Sequence, residues 1–375
     1  GAQYCMWNER LSKEEYERRF AGLKPNSRHS LQAWKLKAKD FWVKFPNKYI
    51  HGHRNKNVSG DYIYDSREVK DSYIINGSEF CRYCLWLISP GNKDCYDQTQ
   101  FGENCERVYE AMSCGKGIYD LIGGVNTVES RNIRYAMYCY GNCSDLLGCI
   151  GLRSKKYCIL NKQYSKEEYE ALRPKIIEHM NQMPYEDKAG RKHYYGDFFP
   201  IETSQFKYNE TSAQEFFPLT KEQALAMGYS WKDQADKTHR ADIEAQDIPD
   251  SIQDVTDEIL TKILGCVHGG KCQHQCSAAF RIILQELNFY RQNNLPLPDM
   301  CPNCRHYNRT SMKNRPRLWQ RRCECEGEKS RAGIYQNSAK HQHGSGHCPN
   351  SFQTSYSPDR PEIVYCEQCY NAEVV

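Results

Sequence analysis

The chain has 375 residues, enough for two or three domains of ordinary size. Its 51 Lys and Arg against 47 Asp and Glu leave a formal charge of +4, too weak a field to mark the whole molecule as a partner of nucleic acid or of an anionic membrane. No apolar run approaches the roughly 18 residues of a spanning helix, and the first residues lack the charged-then-apolar order of a signal peptide. The 20 cysteines are segregated, ten at or before Cys158 and ten from Cys266 to Cys369, with none between. Two different uses of cysteine are therefore expected.

The chain opens on QYCMWNERLSKEEYE (Gln3–Glu17), which returns as KYCILNKQYSKEEYE at Lys156–Glu170. In both copies a strand-like Tyr-Cys phrase leads into Ser-x-x-Glu, a capping box that starts a helix. Residues 1–47 are accordingly expected to be the end of an upstream solenoid module with its helical closure. Residues 48–160 carry short phrases that end on a buried type of residue: SREV at Val69, SEFC at Cys81, NKDC at Cys95, GENC at Cys105, GKGI at Ile118, SRNI at Ile133 and YGNC at Cys143. Their spacing is too irregular for a heptad, and Tyr-rich strands with Gly, Asn and Ser turns lie between them. The pattern predicts a Cys/Tyr-rich parallel β-solenoid with short rungs and an inward ladder of Cys and Ser. Cysteine suits such a narrow core as a small apolar residue; a metal site at Cys81-x-x-Cys84 is the competing reading.

Residues 161–240 read as a helical, aromatic-rich linker domain, with one helix from Ser165 to about Met183 and a second after Thr220. Residues 241–262 hold seven acidic residues before Lys262, interrupted by Pro249, and are expected to form a solvated connector.

From 263 to 375 the cysteines fall into a metal-binding pattern. CPNC at 301–304 and CEQC at 366–369 are Cys-x-x-Cys knuckles, each preceded by another cysteine group, as a tetrahedral Zn²⁺ site requires. Cys276 and Cys348 stand four residues before Phe280 and Phe352, where a ribbon places a core aromatic. This assigns Cys276, Cys301 and Cys304 to one site and Cys348, Cys366 and Cys369 to a second. Cys272 is expected as fourth ligand of the first, with Cys266 in reserve, and Cys323 or Cys325 of the second. His341, His343 and His347 lie in an insertion and, with Cys266, could substitute or hold an additional metal. Two structural Zn²⁺ ions are expected, in a paired zinc-ribbon or treble-clef arrangement. Structural zinc in place of disulfides points to a reducing compartment and so to the cytoplasm.

Between the knuckles, RHYNRTSMKNRPRLWQRR at 305–322 has seven basic residues, Arg305, Arg309, Lys313, Arg315, Arg317, Arg321 and Arg322, no acid, and interleaved Tyr307 and Trp319. Such a segment can neutralise phosphates and stack on unpaired bases; it would equally serve as a solvated face packed through Leu318 and Trp319.

The SKEEYE closure, FFPLTKEQA, CPNCR, RLWQRRC and the terminal YSPDRPEIVYCEQCYNAEVV together resemble an uncharacterised family of bacterial β-solenoid plus zinc-ribbon proteins from uncultured lineages. The resemblance covers nearly the whole chain and implies architecture and paired zinc sites, with no function attached. This sequence departs from simpler members by the insertions CVHGGKCQHQC and HQHGSGHC, which leave the fourth ligands open.

The expected fold class is α+β and multi-domain. The expected function is a non-enzymatic zinc-binding scaffold that contacts nucleic acid or a protein partner. Two alternatives stand beside it: a carbohydrate- or metal-dependent enzyme using Asp61, Asp65, Asp71, Asp94 and Asp97 or the histidine insertion, and an extracellular adhesive solenoid with disulfides.

Overall fold

The structure is a computed structural model that describes residues 3–102, the backbone of 112–114, and residues 121–233 and 240–374. A hairpin of Tyr4–Met6 with Glu9–Leu11 precedes helix α1 (Lys13–Gly22) and helix α2 (Arg28–Trp42). Short parallel strands then stack from Gly52–His53 to Lys156–Ile159, and Lys162–Gln163 ends the stack antiparallel, giving an 11-stranded sheet. Helix α3 (Lys166–Gln182) follows directly. This is the solenoid expected between 48 and 160, in an α+β chain. The phrases ending at Cys105 and Ile118 lie outside the described residues.

The turn of the solenoid follows from two repeats. Registered partners stand 12 residues apart at Gly60↔Ser72, Tyr73↔Leu85 and Ser144↔Lys156, and between 11 and 14 apart elsewhere. Within a turn every third residue points inward: Ile63, Ser66, Val69, Ser72, Ile75, Ser78, Cys81, Cys84 and Leu87 are all buried. A 12-residue turn therefore has four sides, each three residues long. The chain bends at corners where Tyr62, Asp65, Glu68 and Asp71 take φ of 55°, 51°, 53° and 48°, a left-handed conformation that costs a side-chain-bearing residue energy and that Asp and Asn tolerate best. Gly60 answers a tighter demand, since a Cβ there would come 1.7 Å from the Ser72 carbonyl oxygen.

The inward ladder explains the choice of Ser and Cys. Ser66, Ser72 and Ser78 each donate to the carbonyl two residues back, at 2.7, 2.7 and 3.1 Å. Cys81, Cys84, Cys95, Cys149 and Cys158 do the same through sulfur at 3.2 to 3.4 Å. Hydroxyl and thiol thus find an acceptor inside the turn, several of them on a carbonyl that also accepts an N–H from the next turn, as Tyr64 O does from Gly77 and Lys70 O from Tyr83. Leu87, Ile133 and Leu146, fully buried on the other sides, each contribute about 1.5–3 kcal/mol by leaving water.

Both ends of the stack are covered. At the late end Tyr169 of α3 is buried against Leu147 and Ile159, and the Ser165 capping box fixes where the helix starts. At the early end the C-terminal strand Ile363–Tyr365 pairs in parallel with Pro46–Lys48, Thr354 donates to the Tyr49 carbonyl at 2.6 Å, and the Ser355 hydroxyl donates to the buried Asp61 carboxylate. The repeated SKEEYE unit is repeated in structure too. Each copy is a hairpin whose two turn residues, Trp7 and Asn8 or Leu160 and Asn161, have positive φ, followed by a serine-capped helix. Helices α4 (Ser212–Phe216) and α5 (Lys221–Ala226), the latter capped by Thr220, belong to an aromatic layer on the solenoid flank, where Phe216 meets Trp86 at 5.1 Å and Phe199 meets Tyr135 at 5.8 Å.

The acidic stretch from 241 to 262 is not a solvated connector. Ile248, Ile252, Val255 and Ile259 are buried in one core with Leu264, Phe280 and Leu287, and the carboxylates lie outside it. Asp250 binds the start of α2, accepting from the Ser27 hydroxyl at 2.5 Å and from His29 N–H at 3.0 Å. No described helix is long and apolar enough to cross a membrane.

Candidate metal centres

Beyond Leu264 the chain builds the same device twice, a two-stranded hairpin facing the first turn of a helix. In the first lobe Leu264–Gly265 pairs with Ala279–Phe280, and Cys266 N–H donates to Ala278 O at 2.8 Å, so Cys266 and Cys276 sit at the two feet of the hairpin tip. Helix α6 (Leu284–Gln292) covers the lobe, and helix α7 (Pro302–Thr310) begins at the knuckle, with Cys301 as its N-cap and Cys304 in its first turn. Cys266, Cys276, Cys301 and Cys304 are all buried, with their sulfurs within 4.8 Å of one another. In the second lobe Trp319–Arg322 pairs with Ser351–Thr354, Cys323 N–H donates to Asn350 O, and helix α8 (Glu367–Val374) begins within CEQC. Cys323, Cys348, Cys366 and Cys369 form the matching buried group.

The geometry fits tetrahedral metal ligation. Cys276–Cys301, Cys348–Cys366 and Cys348–Cys369 sulfurs are 3.9, 3.9 and 3.7 Å apart, and four thiolates at about 2.3 Å from one ion lie about 3.8 Å apart along each edge. Backbone N–H groups point at the sulfurs, from Cys301 to Cys266 at 3.3 Å and from Cys366 to Cys323 at 3.2 Å, which stabilises the thiolate form that a metal needs. Crowded together, the sulfurs compete for ionisation. The hydrogen bond between Cys323 and Cys366 lowers the Cys366 thiol and raises that of Cys323.

In the first lobe the fourth place of the group differs from the sequence expectation, and in the second it falls to one of the two residues expected. Cys266, the reserve, completes the first group, and Cys272 lies in a neighbouring group with His268, His274 and Cys304. The hairpin explains the exchange: Cys266 directly follows the first strand and faces Ala278, two residues from Cys276, whereas Cys272 is carried out on the tip. In the second lobe Cys323 completes the four, and Cys325 joins His341, His343 and Cys369. His347 belongs to neither group; its Nδ1 lies 2.7 Å from Cys348 O. His268 and His274 escape the sequence reading, although the alternation in CVHGGKCQHQC places them close to cysteines.

Around His341 the supports are strong. Its Nε2 lies 2.9 Å from a Glu373 carboxylate oxygen. Burial would raise Glu373, but N–H groups of Ser338 and Ala339, with His341 and the Ser338 hydroxyl, hold it down at about 2. None of the four groups contains a solenoid cysteine; Cys81 and Cys84 take their place in the inward ladder. No described cysteine forms a disulfide.

The basic residues divide. Arg305 is paired with Glu286 at 2.7 Å and bonded to the Tyr290 hydroxyl, and Arg321 with Glu324 at 3.0 Å and the Ser357 carbonyl, so both are committed inside the lobes. Arg309, Lys313, Arg315, Arg317 and Arg322 are exposed, with the Arg317 guanidinium over the Trp319 ring at 5.4 Å. Lys313 and Arg315 border a cleft of about 240 Å³ walled by Phe216, His274 and Tyr307. Of the solenoid carboxylates, Asp65, Asp71, Asp94 and Asp97 stand at left-handed corners, and Asp61 is buried in the contact with Ser355 and His51.

Comparison of the chain with protein-family models, with curated proteins and with solved structures finds no match.

Proposed function

We propose that this protein is a non-enzymatic scaffold held together by structural zinc, which presents its exposed basic segment to single-stranded nucleic acid. The observation that carries the scaffold reading is the pair of buried four-cysteine groups. Thiolate-rich tetrahedral sets select zinc among the common divalent ions. Four protein ligands also leave no position for a water or substrate, which marks a structural ion rather than a catalytic one. The same reading places the chain with the solenoid plus zinc-ribbon proteins it resembles, and in a reducing compartment.

The nucleic-acid half rests on the five exposed cations of the basic segment 305–322 and on the aromatic rings beside them. Neutralising phosphates releases counterions, so affinity for a single strand should fall with salt by a log–log slope of about −0.7 per contact. Fluorescence anisotropy with a labelled single-stranded oligonucleotide measures it. Reversal of Lys313, Arg315 and Arg317 to Glu should abolish binding at physiological salt and flatten the slope, with the fold intact because none of the three lies inside a lobe. Unchanged affinity in that variant would remove the nucleic-acid reading and leave a protein partner as the occupant of this face.

A further inference from the structure

Each four-cysteine group has a neighbour. His268, Cys272 and His274 converge on Cys304, and Cys325, His341 and His343 converge on Cys369, with every ligand atom of a group within 4.8 Å of the others. In both lobes the shared residue is the second cysteine of the knuckle. From this we infer that each lobe holds two metal ions bridged by one thiolate, Cys304 in the first and Cys369 in the second, with an ion held by two cysteines and two histidines beside each four-cysteine ion. The inference rests on the reading that the four-cysteine groups hold metal, and extends it.

The donor count fits. Two tetrahedral ions that share one ligand need seven donors. The first lobe supplies Cys266, His268, Cys272, His274, Cys276, Cys301 and Cys304, and the second Cys323, Cys325, His341, His343, Cys348, Cys366 and Cys369. All the cysteines beyond residue 265 are thereby used.

The separations fit as well. Cys272 and Cys304 sulfurs are 3.6 Å apart, and His343 Nε2 is 3.4 Å from Cys369 Sγ, close to the edge of a tetrahedron built with metal–nitrogen bonds of about 2.0–2.1 Å and metal–sulfur bonds of about 2.3 Å.

The histidines are prepared as neutral ligands. His343 Nδ1 donates to the Gly346 carbonyl at 2.9 Å, which leaves Nε2 bare toward Cys369. His341, its side chain 1% exposed, donates from Nε2 to Glu373, and its Nδ1 is buried with no hydrogen-bond partner. A carboxylate behind a ligating imidazole is the usual outer support of a metal site. In the first lobe Nδ1 of His268 and Nδ1 of His274 are likewise buried and unpartnered. Three buried imidazole nitrogens without partners among thiols would each be costly, and a cation satisfies all of them.

Charge favours the second ion too. One dication among four thiolates leaves a formal −2 in a buried site, and a second dication that ionises the fifth cysteine leaves −1.

Native mass spectrometry of the full chain, loaded with zinc as the only metal, tests this by counting ions. Four per chain are expected. The pair His268→Ala/His274→Ala should give three, His341→Ala/His343→Ala three, and all four substitutions together two. Two ions on the unsubstituted chain would overturn the bridged centres and leave the four-cysteine reading standing; none would overturn both. Cadmium-113 resonances of the unsubstituted chain make the test independent of how the variants fold. Four signals coupled in two pairs through sulfur are expected, and four uncoupled signals would contradict the shared thiolates.

Discussion

Cysteine has two settings in this chain, the core of the solenoid and the four-donor groups of the C-terminal lobes. Along the later turns of the solenoid, burial pushes the thiols of Cys139, Cys149 and Cys158 upward, so they stay protonated, donate to a carbonyl and fill space, whereas hydrogen bonds from Cys84 and Cys95 lower the thiol of Cys81. Cys149→Ser preserves the donor and should cost about 1 kcal/mol, whereas Cys149→Leu overfills a closed turn and should cost about 1–3 kcal/mol, both read from urea unfolding. Equal losses for the two would mean that the ladder position has no tight size limit. This division is legible in the sequence because the cysteines are segregated along the chain. The inward period of three is not, since outward Tyr, Asp and Arg at the corners interrupt it, and phrases such as SREV and SEFC hold only their first and fourth residues inward, Ser66 and Val69, Ser78 and Cys81.

At the scale of elements, caps and tethers set where each piece begins. The Ser165 hydroxyl accepts from Glu168 N–H at 3.2 Å, and Glu168 returns the bond to Ser165 N–H. Ser165→Ala should therefore cost about 1 kcal/mol and fray the first turn of α3. An unchanged melting temperature would show that burial of Tyr169 alone fixes the helix. Asp250 tethers α2 to the 241–262 stretch, and its carboxyl sits at about 2 against an ordinary 3.8, chiefly through the Ser27 hydroxyl and then, against the opposing cost of burial, the His29 N–H. Because the folded value is the lower one, the stabilisation is complete above pH 4 or so and disappears as pH falls through about 2. Thermal melts should show Asp250→Asn less stable than the parent at pH 6, with the gap closing toward pH 2. A gap that widened in acid would contradict the tether. The stretch reads as a connector because its acids dominate the composition, while Ile248, Ile252, Val255 and Ile259, spaced four, three and four apart, mark its buried face.

Over the whole molecule, the cysteine-rich lobes serve as one end of the solenoid's own packing. The strand Ile363–Tyr365, immediately before CEQC, pairs beside the first turn, and Lys48 reaches Glu367 of α8 at 2.7 Å. Chelation should accordingly raise amide exchange across 241–374 and also at 46–64, while residues 131–159, closed by α3, stay protected. Uniform protection after chelation would mean that the lobes fold without metal. The paired knuckles make the candidate metal groups legible in sequence, yet the choice between Cys266 and Cys272, and between Cys323 and Cys325, is not. It depends on which residues stand at the feet of a hairpin and which ride on its tip, and that is decided by strand pairing across long insertions.

The claim that metal holds the C-terminal lobes is tested most directly by alkylating the native protein with and without chelator and mapping the labelled cysteines by mass spectrometry. Without chelator the ten cysteines from Cys266 to Cys369 should resist alkylation, and with chelator all ten should react while Cys139, Cys149 and Cys158 stay unlabelled. Ready labelling of the C-terminal cysteines before chelation, or their continued protection after it, would contradict the account.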